Sequence, residues 1–177
     1  MRRTLRVVLI VLVAVVAAPF GTFAFYDVSQ FQMNRGRISS LIDGAAVEDR
    51  SPPEQMAALV RMDLKRTEPY SARLLMRELA VRDKPWALEY SLWCVFVQLH
   101  LSEAERLTVI MALAPTGDGR VGVTATAQSM FGRPPSQLSL EEDATIVALM
   151  KQPSAADKPE RLAKLRDRIL ERYAGRS

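Results

Sequence analysis

Residues 101–133 read LSEAERLTVIMALAPTGDGRVGVTATAQSMFGR, and the fold class turns on how that stretch is punctuated. Ser102-Glu103-Ala104-Glu105 is a capping box, in which the serine side chain and the third helical residue's carboxylate each satisfy a backbone amide at a helix start. The helix it opens ends at Pro115, which lacks an N–H. Thr116-Gly117-Asp118-Gly119 predicts a turn. A short helix over about Val121–Met130 follows and stops at Phe131-Gly132.

The same grammar continues outward. Ser139-Leu140-Glu141-Glu142 is a second capping box, opening a helix to Lys151 that Gln152-Pro153-Ser154 breaks. The last helix begins near Pro159, with Leu162, Leu165, Ile169, Leu170 and Tyr173 on one face. Upstream, Asp83-Lys84-Pro85 starts a helix through Trp86, Leu88, Leu92, Trp93, Val95, Phe96 and Leu99. It is apolar nearly all round and is expected to be the buried central helix. Ser71 to Val81 is predicted helical, after a break over Thr67 to Tyr70 at Pro69. Ser51-Pro52-Pro53-Glu54 starts the first helix of the body. Residues 27–50, polar and mixed, read as a linker or loosely packed lead-in. With no strand and no repeat expected, the class is all-α, in one domain over residues 51–177.

A chain of 177 residues, 49% apolar and 25% charged, can bury one real core. Disorder throughout and a multi-pass membrane protein are excluded. One cysteine, Cys94, excludes an internal disulfide framework and a cysteine-cluster zinc site. One histidine, His100, argues against a histidine-based metal centre, so no metal and no cofactor is expected.

The net charge of +4 and pI near 9.5 invite a nucleic-acid reading. The position of the charge removes it. Arg2, Arg3 and Arg6 precede Tyr26 with no acid among them, so residues 27–177 carry only +1. The arginines lead into the uncharged run Val7–Tyr26, which as a helix spans about 30 Å, the hydrocarbon thickness of a bilayer. Cations before it and Asp27 after it put residues 1–6 in the cytoplasm and the body outside. Residues 7–26 are therefore expected to be a single anchor in the inner (cytoplasmic) membrane, with the bilayer as a partner. A cleaved signal peptide is the rival, since the charged start, the apolar Val7–Ala18 core and Thr22-Phe23-Ala24 fit one. Phe20, Phe23, Phe25 and Tyr26 continue the apolar character into an interface belt and favour the anchor.

Several signals have a chemical and a plain reading. Gly117-Asp118-Gly119-Arg120-Val121-Gly122 matches G-x-G-x-x-G, but dinucleotide binding needs a preceding strand, and here a helix and Pro115 precede it. It reads as a helix-connecting turn. His100 has no nucleophile or acid near it in sequence and reads as a helix-end histidine. Glu141-Glu142-Asp143 offers paired carboxylates, yet all three fall in a helix first turn, where acids are favoured anyway. Two stretches are locally basic: Arg61–Lys84, with seven cations against four acids, and Lys158–Arg176, with seven against three. They are solvated helix faces by default, and otherwise suit anionic headgroups or a pyrophosphate.

From Leu101 to Tyr173 the chain resembles the glycosyltransferase family 51 domain, the peptidoglycan transglycosylase module of penicillin-binding proteins and monofunctional transglycosylases. Leu101-Ser102-Glu103-Ala104-Glu105-Arg106-Leu107 resembles the family's "LSKDEILELYLN" opening. Gly117–Gly122 through Met130-Phe131-Gly132-Arg133 resembles its "YFGNGAYGVEAAARxYFGK" stretch. Ser136–Ala144 with Ala148-Leu149-Met150-Lys151-Gln152-Pro153-Ser154 follows "SELTLAEAALLAGLPQAPS". Lys158-Pro159-Glu160-Arg161 with Arg166, Ile169 and Leu170 resembles "NPERAKERRNLVLDRM". Consecutive blocks in the correct order make the match specific.

The resemblance implies a lysozyme-like all-α domain and polymerisation of lipid II, by a base that deprotonates the acceptor hydroxyl and cations that stabilise departing pyrophosphate. The N-terminal half departs from the family pattern. Val60-Arg61-Met62-Asp63 holds no Glu-Asp pair, Arg73–Leu79 keeps only Leu79 of the "GxSTITQQL" strip, and Glu89 lies one position from the glutamate of "RKxxE". In the fourth motif Thr108 and Ala112 stand where the family has Glu and Asn. Loss of a general base costs about 10²–10⁴-fold. The expectation is a catalytically degenerate relative that binds or regulates. Its partners would be lipid II, peptidoglycan glycan or a cell-wall synthesis enzyme. The alternatives are an active enzyme and a membrane-anchored helical adaptor unrelated to the cell wall. Candidate acids are Glu68, Glu78 and Glu89; candidate substrate-binding cations are Arg73, Arg77, Arg120 and Arg166.

Overall fold

The computed structural model describes residue 15 and residues 17–81 and 86–175. Nine α-helices order its body: α1 (Arg35–Asp43), α2 (Val47–Arg50), α3 (Glu54–Leu64), α4 (Glu68–Glu78), α5 (Ala87–His100), α6 (Glu103–Leu113), α7 (Val123–Phe131), α8 (Leu140–Lys151) and α9 (Pro159–Ala174). The all-α expectation holds with one correction. Between α6 and α7 the chain makes a small antiparallel hairpin of β1 (Pro115–Gly117) and β2 (Arg120–Val121). Three successive positive φ values, at Gly117, Asp118 and Gly119, give the tight reversal that a turn reading left unpaired.

Both capping boxes form as read. Ser102 Oγ accepts from the Glu105 amide, Ser139 Oγ from that of Glu142, and each glutamate returns the bond to its serine's amide. α7 starts at Gly122, which has no side chain to cap with. Asp49 of α2 does the work from a distance, accepting from the Thr124 amide (3.1 Å) and hydroxyl (2.8 Å). A Cβ on Gly122 would sit 2.8 Å from the Ala112 carbonyl oxygen, and one on Gly117 would sit 2.5 Å from that of Pro153. Gly117 and Gly122 are therefore packed against neighbouring backbone, as the turn reading requires.

α6 and α8 run through the core, with Val109, Ile110 and Met111 buried on one and Ile146, Val147, Ala148 and Leu149 on the other. α8 packs on α9 and α3, and α4 packs on α5 and α6. Asp63 of α3 fastens this centre. Its side chain is 1% exposed and pairs with Lys151 at 3.0 Å and with Arg172. Pro69, expected to break a helix, sits in the first turn of α4, where a missing N–H costs nothing.

Two expectations upstream change. Residues 27–50 are not loosely packed. Residues 17–26 are helical, and the chain continues through one π-helical turn (Asp27–Phe31), a 3₁₀ turn (Gln32–Asn34) and α1. The wide turn aims Phe31 into the core, against Trp93 (5.6 Å) and Phe96 (6.3 Å). It also aims Asp27 at His100, whose Nε2 lies 2.8 Å from Oδ1 and whose ring stacks on Phe31. α5 is buried on one side only. Trp93, Phe96 and Val97 face the core, whereas Leu88 (57%) and Leu99 (63%) are exposed. Residues 7–14 and 16 of the expected anchor lie outside the described residues. Among the described residues no helix is long and apolar enough to cross a membrane.

Candidate functional site

α3 and α4 join through Lys65, whose φ of +56° puts a non-glycine residue in the left-handed region. That kink turns Lys65 and Arg66 outward beside the first turns of α4. A groove of about 370 Å³ opens there, lined by Lys65, Arg66, Pro69, Tyr70, Arg73 and Tyr90. A second hollow of about 220 Å³ adjoins it across Lys65 and Arg66, reaching Arg61, Glu68, Glu103 and Arg106.

The cations divide into tied and available. Arg61 pairs with Glu54 and Glu103. Glu68 lies between Arg66 (3.6 Å) and Arg106 (3.7 Å), and Arg106 also donates to Thr67 and the Leu101 carbonyl. Among the described residues Lys65 and Arg73 have no acidic partner. Arg73 instead rests its guanidinium 5.8 Å from the centre of the Tyr90 ring. Tyr90 donates to the Pro69 carbonyl and Tyr70 to that of Met150, both at 2.8 Å. Burial pushes the pKa values of Tyr70, Tyr90 and Cys94 up, so all three stay protonated at neutral pH. Chemically this is a positive cleft floored by aromatic rings, suited to a phosphate on a partly apolar ligand.

Of the candidates read from the sequence, the groove collects Arg73, and Glu68 stands in the adjoining hollow. Glu78 faces a different hollow, with Arg37 and Ser40. Glu89 is 5% exposed, inside α5. Arg77 spends its guanidinium on the Leu113 carbonyl at 2.8 Å. Arg120 pairs with Asp118 on the hairpin, and Arg166 with its neighbour Asp167 on α9. None of these three cations lines the groove that holds Arg73. Lys65, Arg66 and Tyr90 were missed, because nothing in their spacing signals a positive-φ kink. Thr108 is buried and donates to the Ala104 carbonyl, so that position is given over to helix packing.

The acidic triplet is also structural. Glu142 caps α8 and pairs with Arg133, and the Ser139 backbone amide lowers its pKa first of all. Asp143 is 1% exposed, accepts from Gln55 at 2.7 Å, and is pushed up to about 6 by burial. Among the described residues no cluster of three or more His, Cys, Asp or Glu is placed to hold a metal.

Residues 88–174, α5 to α9, match the protein-family model described as Transglycosylase. Over that segment the chain is similar to the transglycosylase family, and the resemblance read from Leu101 to Tyr173 is borne out. Penicillin-binding protein 1C of Escherichia coli (strain K12) is 36% identical over 81 residues, which is 44% of this chain and 10% of that protein. The biosynthetic peptidoglycan transglycosylases of Salmonella newport (strain SL254) and Salmonella typhimurium (strain LT2) are each 44% identical over 52 residues, 29% of this chain and 22% of theirs. The matched segments thus span between a tenth and about a fifth of those relatives' length. The family match begins inside the first turn of α5, so it takes in Tyr90 and leaves Lys65, Arg66 and Arg73 outside.

Proposed function

We propose that the chain is a membrane-anchored, extracytoplasmic, transglycosylase-like protein of peptidoglycan assembly. In this reading it holds the pyrophosphate of a lipid-linked glycan such as lipid II, on a lysozyme-like scaffold, without transferring the sugar. The observation that carries it is the division of charge at the α3–α4 kink. Lys65 and Arg73 are available to an anion, while Glu68, the nearest acid, is held against Arg66 and Arg106. Held between two guanidiniums, the Glu68 carboxylate serves as an ion-pair partner within the fold. The names of the relatives support the substrate class, and the uncharged run Val7–Tyr26 supports the anchor and the inner-membrane location.

The test is paired. Full-length protein in detergent is titrated with fluorescent lipid II, and the same preparation is assayed for glycan polymer. Binding that weakens at least tenfold in Arg73→Gln, with no polymer formed, is the expected result. Polymer formation lost in Glu68→Gln would replace this reading with that of an active enzyme.

A further inference from the structure

We infer that Glu68 gates the groove: its carboxylate holds Arg66 away from the anion site, and an entering phosphate takes Arg66 over. The inference rests on the pyrophosphate reading above and deepens it. It adds a third cation to Lys65 and Arg73, and a contact that competes with the ligand.

Arg66 is the shared wall of the two hollows. It lines the groove with Lys65, Arg73 and Tyr90, and the adjoining hollow with Glu68 and Arg106. Its backbone is fixed by a tight turn. Lys65, at φ +56° and ψ −37°, is the centre of a γ-turn in which the Arg66 amide donates to the Leu64 carbonyl at 2.5 Å. This is the rare form of that turn, and strain of this kind persists only where the surroundings over-determine it, as they do at ligand clamps. The side chain that leaves this fixed point lines both hollows.

Of the two cations on Glu68, only Arg66 is free to leave. Arg106 is 12% exposed and donates to the Thr67 hydroxyl at 3.2 Å and to the Leu101 carbonyl at 2.8 Å. Arg66 is 68% exposed, and among the described residues its guanidinium has no partner but Glu68, with Nε 3.6 Å from Oε2. That is an ion pair without a hydrogen bond: Oε2 is buried and accepts none among the described residues. An exposed pair of this kind holds its cation by about fivefold or less. A phosphate in the groove offers the guanidinium charge-assisted hydrogen bonds, two in parallel, which are the stronger contact. Arg66 therefore goes to the ligand, and Arg106, 3.7 Å from Oε1, stays to compensate Glu68.

The experiment is a double-mutant cycle on the full-length protein in detergent, with inorganic pyrophosphate as the probe in low-salt isothermal titration calorimetry. Glu68→Gln is expected to bind about two- to fivefold more tightly than the parent, because the competing pair is gone. Arg66→Gln should bind about tenfold more weakly. In the Arg66→Gln background, adding Glu68→Gln should change nothing, since the acid acts only through the arginine. Glu68→Asp keeps the charge and loses the reach, so it should also bind more tightly, and it decides the matter if Glu68→Gln does not fold. Glu103→Gln removes an acid of the same hollow that pairs with Arg61, and should match the parent. An equal gain from Glu68→Gln with and without Arg66, or from Glu103→Gln, would overturn the inference by showing that charge alone is at work. So would no gain in either Glu68 variant, or no pyrophosphate bound by any of the proteins. The lipid II reading is judged separately. The expected cycle with pyrophosphate, but no binding of fluorescent lipid II, would remove that reading and leave the gate standing.

Discussion

Before Ser102 none of the five helices α1 to α5 has a side-chain cap at its start; after it, α6 and α8 each open on a full capping box. The two halves of the molecule are shaped by different means. α6 and α8 take their starts from local signals in their own sequence. The N-terminal half takes its shape from partners far along the chain: Asp27 on His100, Phe31 on Trp93, Tyr70 on the Met150 carbonyl and Asp63 on Lys151 and Arg172. The family match covers the locally encoded half together with α5. The groove cations belong to the other.

The hardest blow to that division is Trp93→Ala. Trp93 is 1% exposed and packs on Phe31, so its removal should cost about 3–5 kcal/mol in urea unfolding followed by circular dichroism. A single transition at lower urea is expected, because Asp63 and Tyr70 tie the halves together. Two separated transitions would mean that the N-terminal half folds on its own terms.

This contrast also explains what was legible in the sequence. The capping boxes at Ser102 and Ser139, the stop at Pro115 and the glycine turn each lie within a few residues, and each held. The hairpin was missed because its pairing depends on Gly117, Asp118 and Gly119 all reversing together. The packing of residues 27–34 was missed because a π turn has no sequence signature that Phe31 or Asp27 displays. Composition made α5 a core helix, since an exposed apolar side chain and a buried one look alike in a sequence. Of the groove, Arg73 was read as a candidate and Lys65 was not, because its place depends on a backbone kink.

Asp143→Asn tests the locally encoded half from its weakest point. Burial raises the Asp143 pKa from 3.8 to about 6, so the folded state favours the protonated form. Its favourable contribution is whole below pH 3.8 and is lost as the pH rises through about 6. The Asn variant carries no charge to bury and can still meet Gln55. It should be more stable than the parent by about 2 kcal/mol at pH 8 and no more stable at pH 4. Equal stabilities at both pH values would show that the charge is already well solvated. Removing the caps is a smaller step. Ser102→Ala and Ser139→Ala should each cost about 1 kcal/mol, and the two should add, since each box is closed within its own helix start.

The smallest expected change in stability is the most informative about function. Arg73→Gln removes an exposed guanidinium that has no acidic partner among the described residues and only the Tyr90 ring beneath it. Its effect on unfolding should stay within about 0.5 kcal/mol, as for most surface changes. Its effect on an anion should not be small, because a guanidinium seated on an aromatic face is pre-set to give two parallel hydrogen bonds to phosphate oxygens. Arg166→Gln, on α9 beside Asp167, makes the matched control: the same charge lost outside the groove. Titration with a soluble pyrophosphate ester in low salt should separate the two, with affinity lost in Arg73→Gln and kept in Arg166→Gln. Equal losses would mean that the basic surface acts only through its total charge, and the groove at the α3–α4 kink would then have no role of its own.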